Sequence, residues 1–206
     1  MGISQLFGRD QQNATAETRP DGLERLPPGQ YVTKKWPVLS YEPTPGFNAE
    51  TYRFKTWGLV EQPLDLSWAE LLELPRVALT ADFHCVTTWS RYDNTWEGIH
   101  IREILKLTRP LPEATHVMQH SFTGYTTNVP LANLDDDDVL IALRHDGVDI
   151  EPDHGGPIRM IVPKLYAYKG AKWLNGLEFM ERDRPGFWEV RGYSSSANPW
   201  REERYW

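Results

Sequence analysis

The chain has 206 residues, a formal net charge of −7 and a pI near 5.4. That length suits one domain, or one domain with a tail, and it can bury a core without disulfide staples. The acidic balance argues against a general nucleic-acid-binding protein, which would present a basic face. The single cysteine excludes an internal disulfide. Nine tryptophans are many for this length and are typical of buried cores and of ligand clefts.

Residues 1–30 are polar and close with the run LPPG, so they predict a tail that is flexible or lies on the surface, ahead of a domain over residues 31–206. The tail shows neither the apolar core of a signal peptide nor a twin arginine. The longest apolar run, residues 139–143, is far shorter than a membrane span. We therefore expect a cytoplasmic protein without a membrane span and without a nucleic-acid partner.

The elements expected after the tail are short. Residues 36–47 carry three prolines and predict irregular, extended chain. A capping box, Ser67 with Glu70, predicts a helix that ends before Pro75, and a second helix is predicted over residues 99–107. Strands are predicted over residues 51–60, 77–88, 116–119, 139–143, 158–162 and 172–180, with a hairpin turn at Asp146-Gly147. Because strands and helices do not alternate regularly, we expect an α+β fold.

The lone cysteine, Cys85, lies in the stretch ADFHCVTTWS near the end of a predicted strand. It could be a small apolar core residue, a nucleophile or a metal ligand. Its neighbour His84 would point to the opposite face of a strand, so a direct catalytic pair of these two is not expected. One cysteine lacks the paired spacing of a zinc site, while a cysteine hydrolase with a distant histidine stays open.

A basic segment, residues 157–174, stands out in this acidic chain because it has four cationic side chains and no carboxylate. The preceding Gly155 and Gly156 allow close backbone approach, so that N–H groups could converge on an anion. Arginine and lysine side chains bind phosphate. The alternative is a strand pair with solvated lysines. A lone thiolate becomes a good metal site if the other ligands come from an anionic organic cofactor held by this segment.

The acidic run, residues 135–138, is not expected to form a metal site. Calcium loops space their carboxylates to wrap the ion, and four successive carboxylates cannot all face one point. We therefore expect a solvated turn or a first helical turn, where negative charge is favourable.

Three pieces of the sequence together resemble the sulfite oxidase family of molybdenum enzymes. The likeness is to short, stand-alone bacterial members related to the periplasmic catalytic subunit that reduces methionine sulfoxide in proteins. The pieces are FHCVTTWS with WEG (residues 83–90 and 96–98), HGGPIRMIVP with YKGAKWL (154–163 and 168–174), and GFWE (186–189) with Tyr193.

The resemblance implies a molybdenum ion held by Cys85 and by the dithiolene sulfurs of one molybdopterin. Tyr193 matches the tyrosine near the metal, and Arg91 is a candidate for a substrate-anion contact or an ordinary surface arginine. The implied cofactor-binding residues are Asn48, Thr51, Tyr52, Ser121, His154, Arg159, Gly170, Ala171 and Lys172.

The implied activity is oxygen-atom transfer to or from a small substrate such as a sulfoxide, an N-oxide or sulfite, with a separate electron-transfer partner. Sulfite oxidases carry an arginine beside the position of Asn48, and here that neighbour is Phe47. Neither a haem domain nor an immunoglobulin-like domain is recognisable. A non-enzymatic molybdopterin carrier or sensor is the alternative, although a carrier has no need to ligate the metal through Cys85.

Overall fold

The structure is a computed structural model that describes residues 17–19 and 22–206. Most of the predicted tail, including the segment inspected for an export signal, lies outside the described residues. Residues 22–30 lie against the domain. Arg25 donates to Asp82 at 2.7 Å and to Asp93 at 2.5 Å, and the Trp200 indole donates to the carbonyl of Glu24 at 2.8 Å.

The described chain contains short strands and a few short helices, so the predicted α+β class is confirmed. The strands are β1 (Tyr31–Val32), β2 (Arg53–Gly58), β3 (Leu64–Ser67), β4 (Arg76–His84), β5 (Trp89–His100), β6 (His116–Ser121), β7 (Thr126–Pro130), β8 (Leu140–His145), β9 (Val148–Asp149), β10 (Arg159–Ile161) and β11 (Leu174–Met180). The helices are α1 (Trp68–Leu72), α2 (Ile101–Thr108) and α3 (Leu131–Leu134).

Two sheets carry the fold. In the first, the order β1-β5-β8-β10 is extended by β4, which pairs with β5, and by β9, which pairs with β8. The second sheet has the order β3-β2-β11-β6-β7. The pairs β1–β5 and β2–β11 are parallel, and the other pairs are antiparallel. The two ends of the basic segment therefore belong to different sheets, since β10 lies in the first and β11 in the second.

The main core draws side chains from both sheets. Phe54, Val117 and Leu177 come from the second sheet, and Ile141 and Met160 come from the first. A smaller cluster around Phe83, Trp89 and Trp96 packs on the first sheet beside the turn that holds Cys85. Burial of these large side chains fixes how the two sheets meet, because apolar burial is the dominant favourable contribution to folding.

Most predicted elements are confirmed with ends shifted by a few residues. The capping box is present, with Ser67 and Glu70 bonded in both directions before α1. Asp146 and Gly147 both have positive φ in the turn from β8 to β9. The main omission is β5, the longest described strand at 12 residues. Its polar and charged residues hide the alternation, and Ile99 and His100, expected to begin a helix, are the last two residues of this strand instead.

Gly98 provides a test of the packing of β5 against β8. A β-carbon there would lie 2.1 Å from the carbonyl oxygen of Ile141. We expect Gly98→Ala to lower the free energy of unfolding by about 1–3 kcal/mol, as overpacking does. Gly46→Ala is the control, because nothing lies within 4 Å of a β-carbon at Gly46. Urea denaturation of both variants measures the difference, and equal midpoints would contradict this packing.

Candidate active site

Cys85 lies in the tight turn that joins β4 to β5. Its N–H donates to the carbonyl of Trp89 at 2.8 Å, and its own carbonyl accepts from the N–H of Thr88 at 3.1 Å. Thr88 completes the turn with φ of 80°. Two side chains also bond to the backbone of this turn. Gln30 Nε2 donates to the carbonyl of Cys85, and Arg204 Nη1 donates to the carbonyl of Val86. The sulfur is thus presented from a well-anchored backbone.

The surroundings of the sulfur are largely apolar. Burial raises the pKa of the Cys85 thiol, while hydrogen bonds with Thr87 and the charges of Arg204 and Arg159 oppose this. His84 is directed elsewhere, since its Nδ1 lies 2.8 Å from Ser90 Oγ. The thiol is therefore protonated unless a metal or another cation binds it, and the neighbouring histidine does not activate it.

A cavity of about 320 Å³ opens beside Cys85. Residues from several parts of the chain line it: the irregular segment 36–42, the Cys85 turn, Tyr125, His154, the basic segment and the C-terminal region. The structure brings six of the predicted site residues to its walls, namely Cys85, His154, Arg159, Gly170, Lys172 and Tyr193. Of these residues, Arg159 lies on β10, and the others lie in turns and loops that are far apart in sequence.

Two cations in the cavity have neutral partners. Arg159 is 3% exposed, donates from Nη1 to the carbonyl of His154 at 2.7 Å, and has a buried Nε without a partner. Lys172 Nζ donates to the carbonyls of Leu39 and Asp153 and to Ser40 Oγ, at distances of 2.7–2.8 Å. No carboxylate among the described residues pairs with either cation, which is the arrangement expected where an anionic ligand supplies the missing charge.

The pKa values reflect this excess of positive charge in a site that is at least partly buried. Burial lowers the pKa of Arg159 to about 10. Burial, and then the charge of Arg159, lowers the pKa of Lys172 to about 7. The same effects, with Lys172 added, lower the pKa of His154. A bound anion would favour the charged forms of all three groups.

The glycines contribute differently from the sequence-based expectation that their N–H groups converge on an anion. The N–H of Gly155 donates to the carbonyl of Pro152, and that of Gly156 donates to the carbonyl of Glu151, both at 3.0 Å. These donors are already used by the local turn, so that part of the prediction is corrected. Gly170 permits close packing instead, because a β-carbon there would lie 2.4 Å from the carbonyl of Met160. The groups of the cavity that could bind an anion are therefore the side chains of Arg159, Lys172 and His154.

Five predicted cofactor residues, Asn48, Thr51, Tyr52, Ser121 and Ala171, lie outside the walls of this cavity. Asn48 is exposed and accepts from the N–H of Glu50, and the Thr51 hydroxyl bonds weakly to the Asn48 carbonyl at 3.4 Å. The Tyr52 hydroxyl donates to the carbonyl of Leu174 at 2.6 Å, two residues from Lys172. Ser121 Oγ lies 2.8 Å from the Thr123 hydroxyl. Their role as cofactor contacts stays a prediction. Ala171 is buried beside Gly170.

Arg91 is not placed to contact a substrate in the cavity. Its guanidinium pairs with Asp146 at 2.5 Å and also bonds to Asn94 and His145. The reason is that β5 carries Arg91 away from the Cys85 turn toward the turn between β8 and β9. Of the two readings of Arg91, the position fits the ordinary structural arginine.

Sequence reasoning missed the segment over residues 36–42. Trp36 stacks on His154 with ring centroids 3.9 Å apart, and Tyr41 packs on Phe187 at 4.1 Å. The segment was expected to be irregular, and it has no regular secondary structure, but it forms one wall of the cavity. The unusual number of tryptophans was the signal available, because large aromatics often line ligand clefts.

The family model for the oxidoreductase molybdopterin binding domain matches residues 41–188. The chain belongs to this family. It is 38% identical to the uncharacterized oxidoreductase YuiH of Bacillus subtilis, over 97% of this chain and 98% of that protein. It is 26% identical to the protein-methionine-sulfoxide reductase catalytic subunit MsrP of Campylobacter jejuni, over 91% of this chain and 72% of that protein.

Among solved structures, the sulfane dehydrogenase SoxCD of Paracoccus pantotrophus aligns with a TM-score of 0.61 and 22% identity, over 68% of this chain and 40% of that one. This likeness concerns the fold. Together the matches confirm the predicted family, the strand-rich α+β fold, and a molybdopterin-dependent oxidoreductase that transfers oxygen atoms. The alternatives of a non-enzymatic carrier and of a thiol hydrolase have no comparable support.

The residues of the cavity fit molybdopterin. The unpartnered Nε of Arg159 and the neutral partners of Lys172 suit an anionic organic group, and one thiolate suits a soft metal whose other ligands come from that group. Cys85 would hold the molybdenum, and Arg159, Lys172 and His154 would hold the pterin and its phosphate. Across the described residues, no group of three or more His, Cys, Asp or Glu side chains could hold a metal ion.

Lys172→Met tests the cationic side of the site. Expressed in a host that makes molybdopterin, this variant should bind the cofactor about tenfold more weakly or worse, as loss of supporting contacts at metal sites typically does. The measurement is molybdenum and pterin content per chain. Lys164→Met is the control, because Lys164 belongs to the same basic segment but is 46% exposed and pairs with Asp136. Equal loading of both variants would contradict the assignment.

Proposed function

We propose that this oxidoreductase reduces neutral organic sulfoxides, taking electrons from a separate protein or small-molecule donor. The observation that carries the proposal is the charge distribution of the cavity. Apart from Cys85 and the tyrosines, the charged or titratable side chains that line the cavity are those of Arg159, Lys172, His154 and Glu42. The first three are committed to the cofactor, so no cation is left for a substrate oxyanion, and Glu42 disfavours one.

The remaining walls suit an apolar substituent. They include Trp36, Trp188 and Tyr193, and Trp188 packs on Tyr193 with ring centroids 5.1 Å apart. Aromatic walls bind organic groups and exclude water. Phe47, in place of the arginine expected of sulfite oxidases, fits the same interpretation, and so does the similarity to a methionine sulfoxide reductase subunit.

When bound, the molybdenum cofactor supplies the two-electron redox chemistry of oxygen-atom transfer. The chain contributes binding, orientation and protonation. Cys85 anchors the metal from its tight turn, and the cations keep the cofactor in place. Partial burial, and then the neighbouring Tyr205, raises the pKa of Tyr193, so its hydroxyl stays protonated and can donate a hydrogen bond to the sulfoxide oxygen. Each turnover consumes a pair of electrons and a pair of protons and releases a sulfide and water.

The substrate proposal is tested with the loaded enzyme and a reduced dye as donor. We expect kcat/KM for methyl phenyl sulfoxide to exceed that for nitrate by about a hundredfold, since each unpaired buried charge opposes binding by several RT. Sulfite oxidation with a dye acceptor should be slower still. A preference for sulfite or nitrate would overturn the proposal and leave the family assignment intact.

Cys85→Ser tests metal ligation. A hydroxyl is a poorer ligand than a thiolate for this soft site, so sulfoxide reduction should fall to background while the unfolding midpoint stays near that of the wild type. The control is Ser90→Ala on the far side of the turn, which removes the bond to His84 and should leave activity within about twofold. Retained activity in Cys85→Ser would contradict metal ligation.

The compartment of the protein is also part of the proposal. We propose the cytoplasm as the compartment, and cell fractionation with an antibody against the native protein measures it. No helix in the described part of the chain is long and apolar enough to span a membrane.

A further inference from the structure

Three buried polar side chains lie beneath the cofactor-binding segment, residues 170–172. Gln119, on β6, is fully buried, and its amide bonds on both sides of Gly170. Its Nε2 donates to the carbonyl of Lys169 at 2.7 Å, and its Oε1 accepts from the N–H of Ala171 at 2.9 Å. One side chain thus fixes the backbone on either side of Gly170, much as a neighbouring strand would.

Lys169 and Glu189 form an ion pair with no side-chain exposure. Lys169 Nζ lies 2.5 Å from Glu189 Oε1 and donates to Asn128 Oδ1 at 3.0 Å. Glu189 Oε1 also accepts from the Thr127 hydroxyl at 2.8 Å. The other carboxylate oxygen, Glu189 Oε2, has no hydrogen-bond partner among the described residues. Burial lowers the pKa of Lys169, and the charge of Glu189 opposes that change.

This pair joins two parts of the active site. Lys169 directly precedes Gly170, while Glu189 begins the short turn that leads through Gly192 to Tyr193. A second link runs parallel to the first, because the Tyr168 hydroxyl donates to the carbonyl of Ser194 at 2.5 Å. The cofactor-binding segment and the tyrosine segment are therefore connected through buried polar contacts.

A gain in folding stability is a weak explanation for the presence of a fully buried ion pair. Its attraction only offsets the cost of removing both charges from water, and apolar residues of similar volume often serve the fold equally well. What the pair adds is geometry, since hydrogen bonds define the direction and distance of the groups they join.

We propose that Gln119, Lys169 and Glu189 are positioning residues that set the cofactor-binding segment and Tyr193 relative to each other. The part that concerns the substrate rests on the proposed function, whereas the part that concerns cofactor retention depends on the family alone. Supporting groups of this kind are typically worth 10–100-fold in metal affinity or activity.

The double variant Lys169→Met/Glu189→Met tests the proposal, because it removes both charges together and leaves neither unpaired. Its urea midpoint should equal or exceed that of either single variant. The loaded double variant should release pterin about tenfold faster than the wild type on dilution, followed by pterin fluorescence. Its KM for methyl phenyl sulfoxide should rise in the loaded fraction, because Tyr193 is displaced.

The matched control is Arg144→Met/Glu97→Met, which removes a partly exposed pair, 2.8 Å apart, on the first sheet. Its pterin release and KM should equal those of the wild type. Wild-type pterin release and KM in the Lys169→Met/Glu189→Met protein would overturn the proposal and leave the pair with a structural role.

If the double variant does not fold, Gln119→Met provides the same test, because this substitution leaves the Lys169–Glu189 ion pair intact. Faster pterin release supports the proposal, and release at the wild-type rate overturns it. Pterin release needs no substrate. A wild-type protein that retains pterin but does not reduce sulfoxides would therefore contradict the proposed function without touching this inference.

Discussion

The burial of Arg159 and the partial burial of Lys172, both without carboxylate partners, are the constraint on which the site depends. A buried cation is costly unless an anion or several oxygen atoms surround it. Here the oxygens come from the backbone carbonyls of His154, Leu39 and Asp153, so the chain neutralises little of the charge. The cavity therefore favours an anionic ligand, and it does so beside Cys85, the one thiol in the sequence.

The two-sheet architecture brings these groups together. The Cys85 turn projects from the first sheet, Arg159 lies on β10 in the same sheet, and Lys172 precedes β11 in the second. The chain between β10 and β11 crosses from one sheet to the other, and the cavity forms along that crossing. Segment 36–42 then closes one side, with Trp36 on His154 and Leu39 on Lys172. A cleft at the boundary of two packed layers is a common place for a cofactor.

Much of the site was predictable because its chemistry is local in sequence. The turn around Cys85 and the basic segment are each continuous stretches, and their motifs together indicate the family. Arg91 was less predictable, since its distance of six residues from Cys85 says nothing about which way a strand carries it. Gln119 gave no signal in one sequence. Glu189 stood at the end of a family motif, but nothing in the sequence showed that it is buried and paired with Lys169, because a glutamate looks the same on a surface as beneath a cofactor segment.

The sequence by itself determined the α+β class, the short elements and the residue types that can hold a thiolate-bound metal and an anionic cofactor. Those properties follow from periodicity, capping and side-chain chemistry, which act over a few residues. The tertiary structure alone decided that the N–H groups of Gly155 and Gly156 are used by the local turn, that residues 36–42 wall the cavity, and that Lys169 is paired with Glu189 out of contact with water. These outcomes depend on contacts between residues far apart in sequence, whose energies are set by burial and by the partners that packing supplies.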